Sequence, residues 1–363
     1  MRPVLIAILI PLLLASAPLR SQALACLQQQ AQGWLDEAGV PGVSVAMRSA
    51  SGERLAVAVG EDGPGSGTPL DTGQRLRIAS LSKPLTAMGV LALVDAGRLE
   101  LEAPVFGARG VLGGRWADVD RLRWIERMTV RHLLEHGGSL GGWDVDPMFV
   151  LGDDASGSGD LIAEALSRYP LMGRPGREFR YANLGYLMLG EVIEASSGRR
   201  YEEHVRDAIL TPAGAAGMRV GRNGVDGRLE DEAGYAGEAA YATVRPARFG
   251  PFGGWVATPS ELLDVLAWLE SGEAGLADGT RLRMLRASAP RRPGGGASGY
   301  GLGWEVDRNG YGHFGAMPGT QAVMRQRRSG VAWVAIANGL PEGDPEGLRL
   351  EAMLERAAER CLP

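Results

Sequence analysis

The sequence has 363 residues, of which 45% are hydrophobic, and its formal net charge is −5. A chain of this length and apolar content can bury a large core in one domain or two lobes. Its acidic balance argues against nucleic acid as a partner, because nucleic-acid binding requires a basic surface.

Residues 1–23 have the pattern of a secretory signal peptide. Arg2 supplies a short basic region, an apolar run follows from Val4 to Leu14, and Ala23 offers a small residue at a cleavage site. The apolar run is too short to span a bilayer, which needs about 20 residues. We therefore expect an exported protein, periplasmic or secreted, whose mature domain covers residues 24–363.

The chain has two cysteines, Cys26 and Cys361, near the two ends of the mature domain. In an exported protein two cysteines permit one disulfide. Because domain termini often lie close together on the surface, we predict a Cys26–Cys361 bond. Two alternatives stay open, namely two separate thiols or a lipid-modified Cys26, and only lipidation predicts contact with a membrane.

The periodicity of apolar residues and the turn signals divide the mature chain into elements. In chain order they predict a helix at 28–38, a β-hairpin from 43–47 and 55–59, a helix from Lys83 to Gly97, helices at 129–135, 161–168 and 184–196, a helix capped at Thr258 and ending near 269, strands at 300–306, 310–314, 320–327 and 331–338, and a final helix at 346–360.

This order of hairpin, helical middle, strands and helix predicts an α+β fold. Both ends of the chain contribute to an antiparallel sheet of about five strands that is flanked by helices. We place this α/β lobe at about 24–85 and 250–363. The mostly helical lobe, about 86–249, is inserted between them.

Ser80-Leu81-Ser82-Lys83 is the most informative stretch. Lys83 is the only lysine in the chain, and the other 37 cationic residues are all arginine. A buried lysine can lose its proton and act as a base, whereas arginine stays protonated. Ser-x-x-Lys at the start of a helix therefore indicates a serine nucleophile activated by a neutral amine.

Two further stretches extend this motif into a pattern. Tyr181-Ala182-Asn183 precedes a predicted helix, and His313-Phe314-Gly315 ends a predicted strand. With these three motifs in this order, the chain resembles the serine β-lactamase and penicillin-binding-protein superfamily, nearest its class C-like branch. The resemblance spans about residues 30–340 and implies the β-lactamase/transpeptidase-like fold.

The resemblance also implies a role for each matched residue. Ser80 is the nucleophile, and Lys83 and Tyr181 are its base pair, with Tyr181 taking the serine proton if nearby cations lower its pKa. Asn183 is expected to bind the substrate amide or orient the lysine, and His313 and Gly315 are expected to line the substrate pocket. The backbone N–H groups of Ser80 and Ala316 are expected to form the oxyanion hole.

The third motif departs from the Lys-Thr-Gly of classical β-lactamases. His313 carries little charge at neutral pH and Phe314 has no hydroxyl, so the site should hold an anionic β-lactam less well. An arginine from elsewhere could restore carboxylate binding, and Arg325 and Arg248 are the candidates.

His132 and His136 lie four residues apart, a spacing that can bind metal. The residues between them lack the glutamate placement of a metalloprotease helix. We therefore assign both histidines to packing and expect no metal site and no cofactor.

Together these observations predict an exported serine hydrolase that acts through an acyl-enzyme on Ser80. The expected substrates are small molecules or short peptides, either esters or D-amino-acid and peptide amides. One alternative is a class C-like β-lactamase or DD-carboxypeptidase. The alternative of another class is a penicillin-binding sensor protein that acylates without turnover.

Overall fold

The structure is a computed structural model that describes residues 16–114, 124–153, 156–272, 275–287, 299–344 and 346–362. Most of the predicted signal peptide, residues 1–15, lies outside the described residues.

The strands of the described chain belong to one large and one small sheet. In chain order they are β1 (Gly42–Arg48), β2 (Arg54–Gly60), β3 (Leu76–Arg77), β4 (Arg219–Val220), β5 (Trp255–Ala257), β6 (Gly299–Tyr300), β7 (Glu305–Asp307), β8 (Gly310–Met317), β9 (Thr320–Arg327) and β10 (Ala332–Ala337).

The α-helices lie before, between and after these strands. In chain order they are α1 (Ser16–Ala38), α2 (Ser82–Asp95), α3 (Val130–Leu134), α4 (Ser158–Arg168), α5 (Asn183–Ser197), α6 (Tyr201–Val205), α7 (Ala239–Ala242), α8 (Pro246–Phe249), α9 (Pro259–Glu270), α10 (Asp278–Met284) and α11 (Leu348–Cys361). Short 3₁₀ helices at Ala79–Leu81, Ile125–Arg127 and Pro147–Phe149 and a π-helical turn at Arg206–Leu210 complete the helical segments of the described residues.

The large sheet joins the two ends of the chain. Its strand order is β2-β1-β10-β9-β8-β7-β6, and every neighbouring pair is antiparallel. N-terminal strand β1 pairs with C-terminal strand β10, with Val45 opposite Ala335. The predicted α+β fold with a sheet built from both ends is therefore confirmed.

Helices cover both faces of this sheet. Side chains alternate between the two faces along each strand, and apolar strand residues on each face pack against helices. On one face, Val45 and Trp333 pack in an apolar cluster with Leu27 of α1 and Leu354 of α11. On the other face, strand residues such as Val334 join a larger cluster with α2, α5 and α9. This larger cluster contains residues of both predicted lobes. The boundaries of the lobes near residues 85 and 250 stay a prediction.

Local sequence signals explain several helix ends. The Thr258 hydroxyl accepts a hydrogen bond from the Glu261 N–H at 3.1 Å, and the Glu261 carboxylate accepts one from the Thr258 N–H at 2.9 Å. This capping box begins α9 as predicted. Gly198 ends α5 with a φ of +69°, a conformation that glycine adopts without steric cost.

Three elements differ from the sequence prediction. The single strand expected at 300–306 is a tight pair, β6 and β7, so the large sheet has seven described strands and not about five. The chain turns at Gly303 with a φ of +86°, where an added Cβ would lie 2.3 Å from the Ala87 side chain. The small sheet β3-β5-β4 was not predicted, and α1 starts at Ser16 and not near residue 28.

The predicted disulfide is present in the structure. Cys26 of α1 is bonded to Cys361 of α11, with their Cα atoms 5.5 Å apart. The bond fastens the two helices that cover one face of the sheet, and a cysteine in this bond is not available for lipidation. None of the described helices is long and apolar enough to cross a membrane.

The disulfide should contribute to stability because it restricts the unfolded chain over a long loop. Replacing both Cys26 and Cys361 by alanine should lower the free energy of unfolding by about 2–4 kcal/mol. Chemical denaturation of the mature domain measures this change. The control Val225→Ala truncates an exposed side chain and should leave stability unchanged. A double variant as stable as the wild type would contradict this prediction.

Candidate active site

Ser80 lies at the junction between the small sheet and helix α2. It is the middle residue of the 3₁₀ helix Ala79–Leu81, which runs directly into α2. Ala79 has a φ of +49°, a left-handed conformation that costs free energy for any residue except glycine. Ser80 is half-buried and faces a cavity of about 330 Å³.

Lys83 lies one helical turn after Ser80 and is completely buried. Its Nζ is 2.9 Å from Ser80 Oγ, 2.8 Å from Asn183 Oδ1 and 3.0 Å from the Phe252 carbonyl oxygen. Burial holds the pKa of Lys83 well below its usual value, and the Asp146 carboxylate opposes this shift. Burial favours the neutral amine because it removes the water that stabilises a charged one.

These three contacts determine where the lone pair of a neutral Lys83 points. The Asn183 and Phe252 oxygens are carbonyl oxygens and can only accept hydrogen bonds. They therefore take the two N–H groups of the amine. The lone pair remains for the Ser80 hydroxyl, so the amine is placed to accept the serine proton.

Tyr181 also contacts the nucleophile. It lines the same cavity as Ser80, whose side chain acts to lower its pKa, and Lys83 Nζ lies 4.7 Å from the centre of its ring. The residue as a whole is 41% exposed. Burial of the phenol raises the pKa of Tyr181, and this effect is larger than the lowering that Ser80 causes. The condition for Tyr181 to take the serine proton, a pKa lowered by cations, is therefore not met.

Asn183 is held from both sides. Its Oδ1 accepts from Lys83, and its Nδ2 donates to Asp146 Oδ2 at 2.7 Å. Both polar ends of the amide are thus engaged within the protein. Of the two roles expected for Asn183, the geometry favours orientation of the lysine.

Gly315 explains how strand β8 reaches the nucleophile. A Cβ at this position would lie 2.9 Å from the Ser80 backbone nitrogen and 2.8 Å from the Ile78 carbonyl oxygen, closer than real Cβ contacts. Only glycine lets the two backbones approach this closely. The next residue, Ala316, lines the cavity together with Ser80. Both residues that are expected to form the oxyanion hole therefore border the same cavity.

His313 lines the same cavity, but its ring is almost fully buried. Its Nδ1 lies 2.5 Å from the Phe314 carbonyl oxygen, which can only accept, so Nδ1 carries a proton. In the neutral ring, Nε2 then accepts from the Tyr300 hydroxyl at 2.9 Å. The histidine holds Tyr300 in place, and both of its ring nitrogens are hydrogen-bonded within the protein.

The two other histidines of interest hold backbone segments near the site. His132 Nδ1 accepts from the Thr129 N–H at 3.2 Å and caps α3. His136 Nδ1 accepts from the Ala182 N–H at 3.1 Å, and its ring lies 4.2 Å from that of Tyr181. Burial holds the pKa of His136 well below its usual value, so the ring is neutral. In the described parts of the chain, no group of three or more His, Cys, Asp or Glu residues could hold a metal ion.

Neither candidate arginine reaches the cavity. Arg325 donates to Glu351 at 2.7 and 2.9 Å and lies 3.8 Å from Asp307. Arg248 donates to the carbonyl oxygens of Leu151 and Asp153 and lines a different cavity.

The described lining of the Ser80 cavity carries negative and aromatic side chains. It includes the three carboxylates of Glu305, Glu346 and Glu351. This described lining includes no arginine or lysine. It also includes the rings of Phe179, Tyr181, Tyr300 and Phe314.

The comparisons with known proteins agree with this geometry. The family model described as Beta-lactamase matches residues 25–358. The chain belongs to the Beta-lactamase family. The predicted resemblance is thereby confirmed, and the relatives and structural neighbours described below are serine hydrolases.

The relatives include penicillin-binding proteins and an esterase. Penicillin-binding protein 4 of Amycolatopsis lactamdurans is 28% identical over 83% of this chain and 81% of its own length. Penicillin-binding protein 4* of Bacillus subtilis is 32% identical over 42% of this chain, and esterase EstB of Burkholderia gladioli is 30% identical over 41%. These two matches span only 32% and 39% of the relatives' own lengths.

A solved structure supports the same family fold. The D-amino acid amidase from Ochrobactrum anthropi SV3, complexed with L-phenylalanine amide, superimposes with a TM-score of 0.75 and 25% identity. The superposition covers 95% of this chain and 98% of the amidase.

The family motifs did not reveal every residue at the site. Asp146, His136 and Tyr300 contact the motif residues but lie outside the three motifs. The only sequence signal for Asp146 is the following Pro147, which is typical of the first turn of a helix. That signal predicts a helix cap and gives no indication of contact with Asn183.

The close approach at Gly315 generates a prediction. Gly315→Ala should lower the free energy of unfolding by about 1–3 kcal/mol because its Cβ forces the β8 and Ser80 backbones apart. It should also slow labelling of Ser80 by a fluorophosphonate. Gly33→Ala is the matched control, because no atom lies within 4 Å of the added Cβ. Normal stability and labelling of Gly315→Ala would contradict the close contact.

Proposed function

We propose that this protein is an exported serine hydrolase that forms an acyl-enzyme on Ser80. Its proposed substrates are esters or D-amino-acid and peptide amides. The observation that carries the proposal is the buried Lys83 Nζ, which lies within hydrogen-bonding distance of two carbonyl oxygens and of Ser80 Oγ. In the neutral amine, the two carbonyl oxygens take the N–H groups and the lone pair faces the Ser80 hydroxyl.

In the proposed reaction, Lys83 accepts the Ser80 proton as the serine oxygen bonds to the substrate carbonyl carbon. The resulting oxyanion accepts hydrogen bonds from the backbone N–H groups of Ser80 and Ala316. The bond to the leaving amine or alcohol then breaks, and the proton reaches the leaving group through the Tyr181 hydroxyl. Water attacks the acyl-enzyme in the same manner and releases the acid and Ser80.

The roles of Lys83 and Tyr181 follow from their opposite pKa shifts. Burial lowers the pKa of the amine and raises that of the phenol, so burial favours the neutral form of each group. A neutral amine can accept a proton, and a neutral phenol can donate one. The base is therefore Lys83, and Tyr181 is a proton donor.

Export is supported by the signal-peptide pattern of residues 1–23 and by the Cys26–Cys361 bond, because disulfides persist in oxidising compartments. Cleavage after Ala23 would begin the mature chain within α1 and leave Cys26 in place.

The substrate class is supported by the lining of the cavity. Glu305 and Glu346, beside a Glu351 that is paired with Arg325, should disfavour a substrate carboxylate and favour an ammonium group, such as the free amine of an amino-acid amide. The named activities of two family members, an esterase and a D-amino acid amidase, lie in the proposed class. A β-lactamase or DD-carboxypeptidase is the runner-up within enzymes, because two relatives are penicillin-binding proteins.

A panel of four substrates tests this proposal. We expect turnover of p-nitrophenyl acetate and D-phenylalanine p-nitroanilide, and slower turnover of a chromogenic cephalosporin. N-succinyl-D-phenylalanine p-nitroanilide should react at least about tenfold more slowly than the free amine, because its carboxylate meets the glutamates. Ser80→Ala should abolish all turnover and all labelling by a fluorophosphonate.

Each alternative predicts a different result from the same panel combined with a labelling experiment with penicillin. Rapid cephalosporin turnover would support a β-lactamase, and stable penicillin labelling without turnover of any substrate would support a sensor protein. Fluorophosphonate labelling that persists in Ser80→Ala would contradict the proposed nucleophile.

The lysine base generates a second prediction. In the wild type, kcat/KM should rise with pH through the lowered pKa of Lys83, because the neutral amine is the active form. Lys83→Arg keeps a cation that cannot deprotonate, so kcat/KM should fall by about 10²–10⁴-fold at every pH tested. Circular dichroism checks that the variant is folded. A folded Lys83→Arg variant with wild-type kcat/KM would exclude the amine as the base.

A further inference from the structure

Asp146 is hydrogen-bonded to Asn183, the motif residue that contacts Lys83, although Asp146 belongs to none of the three motifs. It precedes the short helix Pro147–Phe149, and its Oδ1 accepts from the Met148 N–H at 2.9 Å as an N-cap. Its Oδ2 accepts from Asn183 Nδ2 at 2.7 Å. Only the first of these bonds is needed to cap the helix.

The second bond determines which way the Asn183 amide faces. The amide has a donor end and an acceptor end of similar shape, so its partners decide its orientation. A carboxylate can only accept, so Asp146 takes the NH₂ group and leaves Oδ1 for Lys83. If the amide were reversed, its NH₂ group would face Lys83 and compete with Ser80 for the amine lone pair.

We propose that Asp146 is a positioning residue whose carboxylate fixes the Asn183 amide and thereby directs the Lys83 lone pair to Ser80. This inference rests on the proposed function. It assigns Asp146 no contact with substrate, and its effect passes through Asn183 and Lys83.

Asp146 also acts on Lys83 through its charge. The ionisable groups that face the amine are Asp146 on one side, the Tyr181 and Tyr186 rings at 4.7 and 5.6 Å, and His136. The charge of His313 acts on His136, and that of Glu305 acts on Tyr181. Asp146 supplies the negative charge that raises the Lys83 pKa, so removing this charge lowers that pKa further.

The variant Asp146→Asn separates the cap from the charge. Asparagine caps helices as well as aspartate does, so the fold should persist. Its NH₂ group faces that of Asn183 and should reverse the Asn183 amide. We expect kcat for p-nitrophenyl acetate to fall by about tenfold or more with little change in KM. The acid limb of kcat/KM should move to lower pH, because the charge that raises the Lys83 pKa is gone.

A swapped double variant provides the sharper test. In Asp146→Asn/Asn183→Asp the donor and acceptor are exchanged, so residue 183 again presents an oxygen to Lys83. We expect it to recover part of the kcat lost in the single variant. Its acid limb should lie at higher pH than that of the wild type, because the carboxylate is now adjacent to the amine. A role in helix capping alone predicts neither effect.

Asp71→Asn is the matched control, because Asp71 also accepts a backbone N–H, that of Gly73 at 2.7 Å, in an exposed turn. Its kcat and pH profile should equal those of the wild type. The inference is overturned if folded Asp146→Asn keeps the wild-type kcat and acid limb, or if the swap gives no recovery over the single variant.

Fluorophosphonate labelling of the wild type separates failure of this inference from failure of the proposed function. Absence of labelling at Ser80 would overturn the acyl-enzyme and this inference with it. Normal labelling together with an unaffected Asp146→Asn variant would overturn this inference alone.

Discussion

The proposed chemistry of this protein depends on the burial of one primary amine. A charged lysine is costly to remove from water, so complete burial of Lys83 favours its neutral form. The surrounding oxygens satisfy its two N–H groups, and the remaining lone pair meets Ser80. An arginine could not serve here because it keeps its proton. The single lysine in the sequence is thus found where a cation that can be discharged is required.

The elements around Lys83 are held by contacts that leave little freedom. Gly315 lets strand β8 touch the Ser80 backbone, and His136 holds the segment before Asn183 through the Ala182 N–H. Asp146 then fixes the far end of the Asn183 amide. Such secondary contacts matter because proton transfer requires donors and acceptors to be aligned before the substrate binds.

The order of elements predicted the fold class, and the family resemblance carried by the three motifs implied that Ser80, Lys83, Tyr181 and Asn183 meet. The sequence could not predict Asp146, since Asp144 nearby is an equal candidate until the fold places one of them against Asn183. The strands β3, β4 and β5 are too short to show a period of two, and β6 and β7 were merged because Gly303 gave too weak a turn signal. The raised pKa of Tyr181 depends on burial that no local pattern encodes.

The pairing of β1 with β10 has a consequence for folding kinetics. The hydrogen bond from the Gly42 N–H to Asn338 Oδ1 joins residues 296 positions apart, and Ser80 meets Gly315 over a similarly long loop. Contacts of such long range form slowly, because the loop entropy is lost before they stabilise the chain. A partly folded chain that lacks the C-terminal strands therefore has the Ser80–Lys83 pair but no β8 beside it. If Ser80 is acylated as proposed, its acylation should consequently serve as a reporter of complete folding and not of the helical region alone.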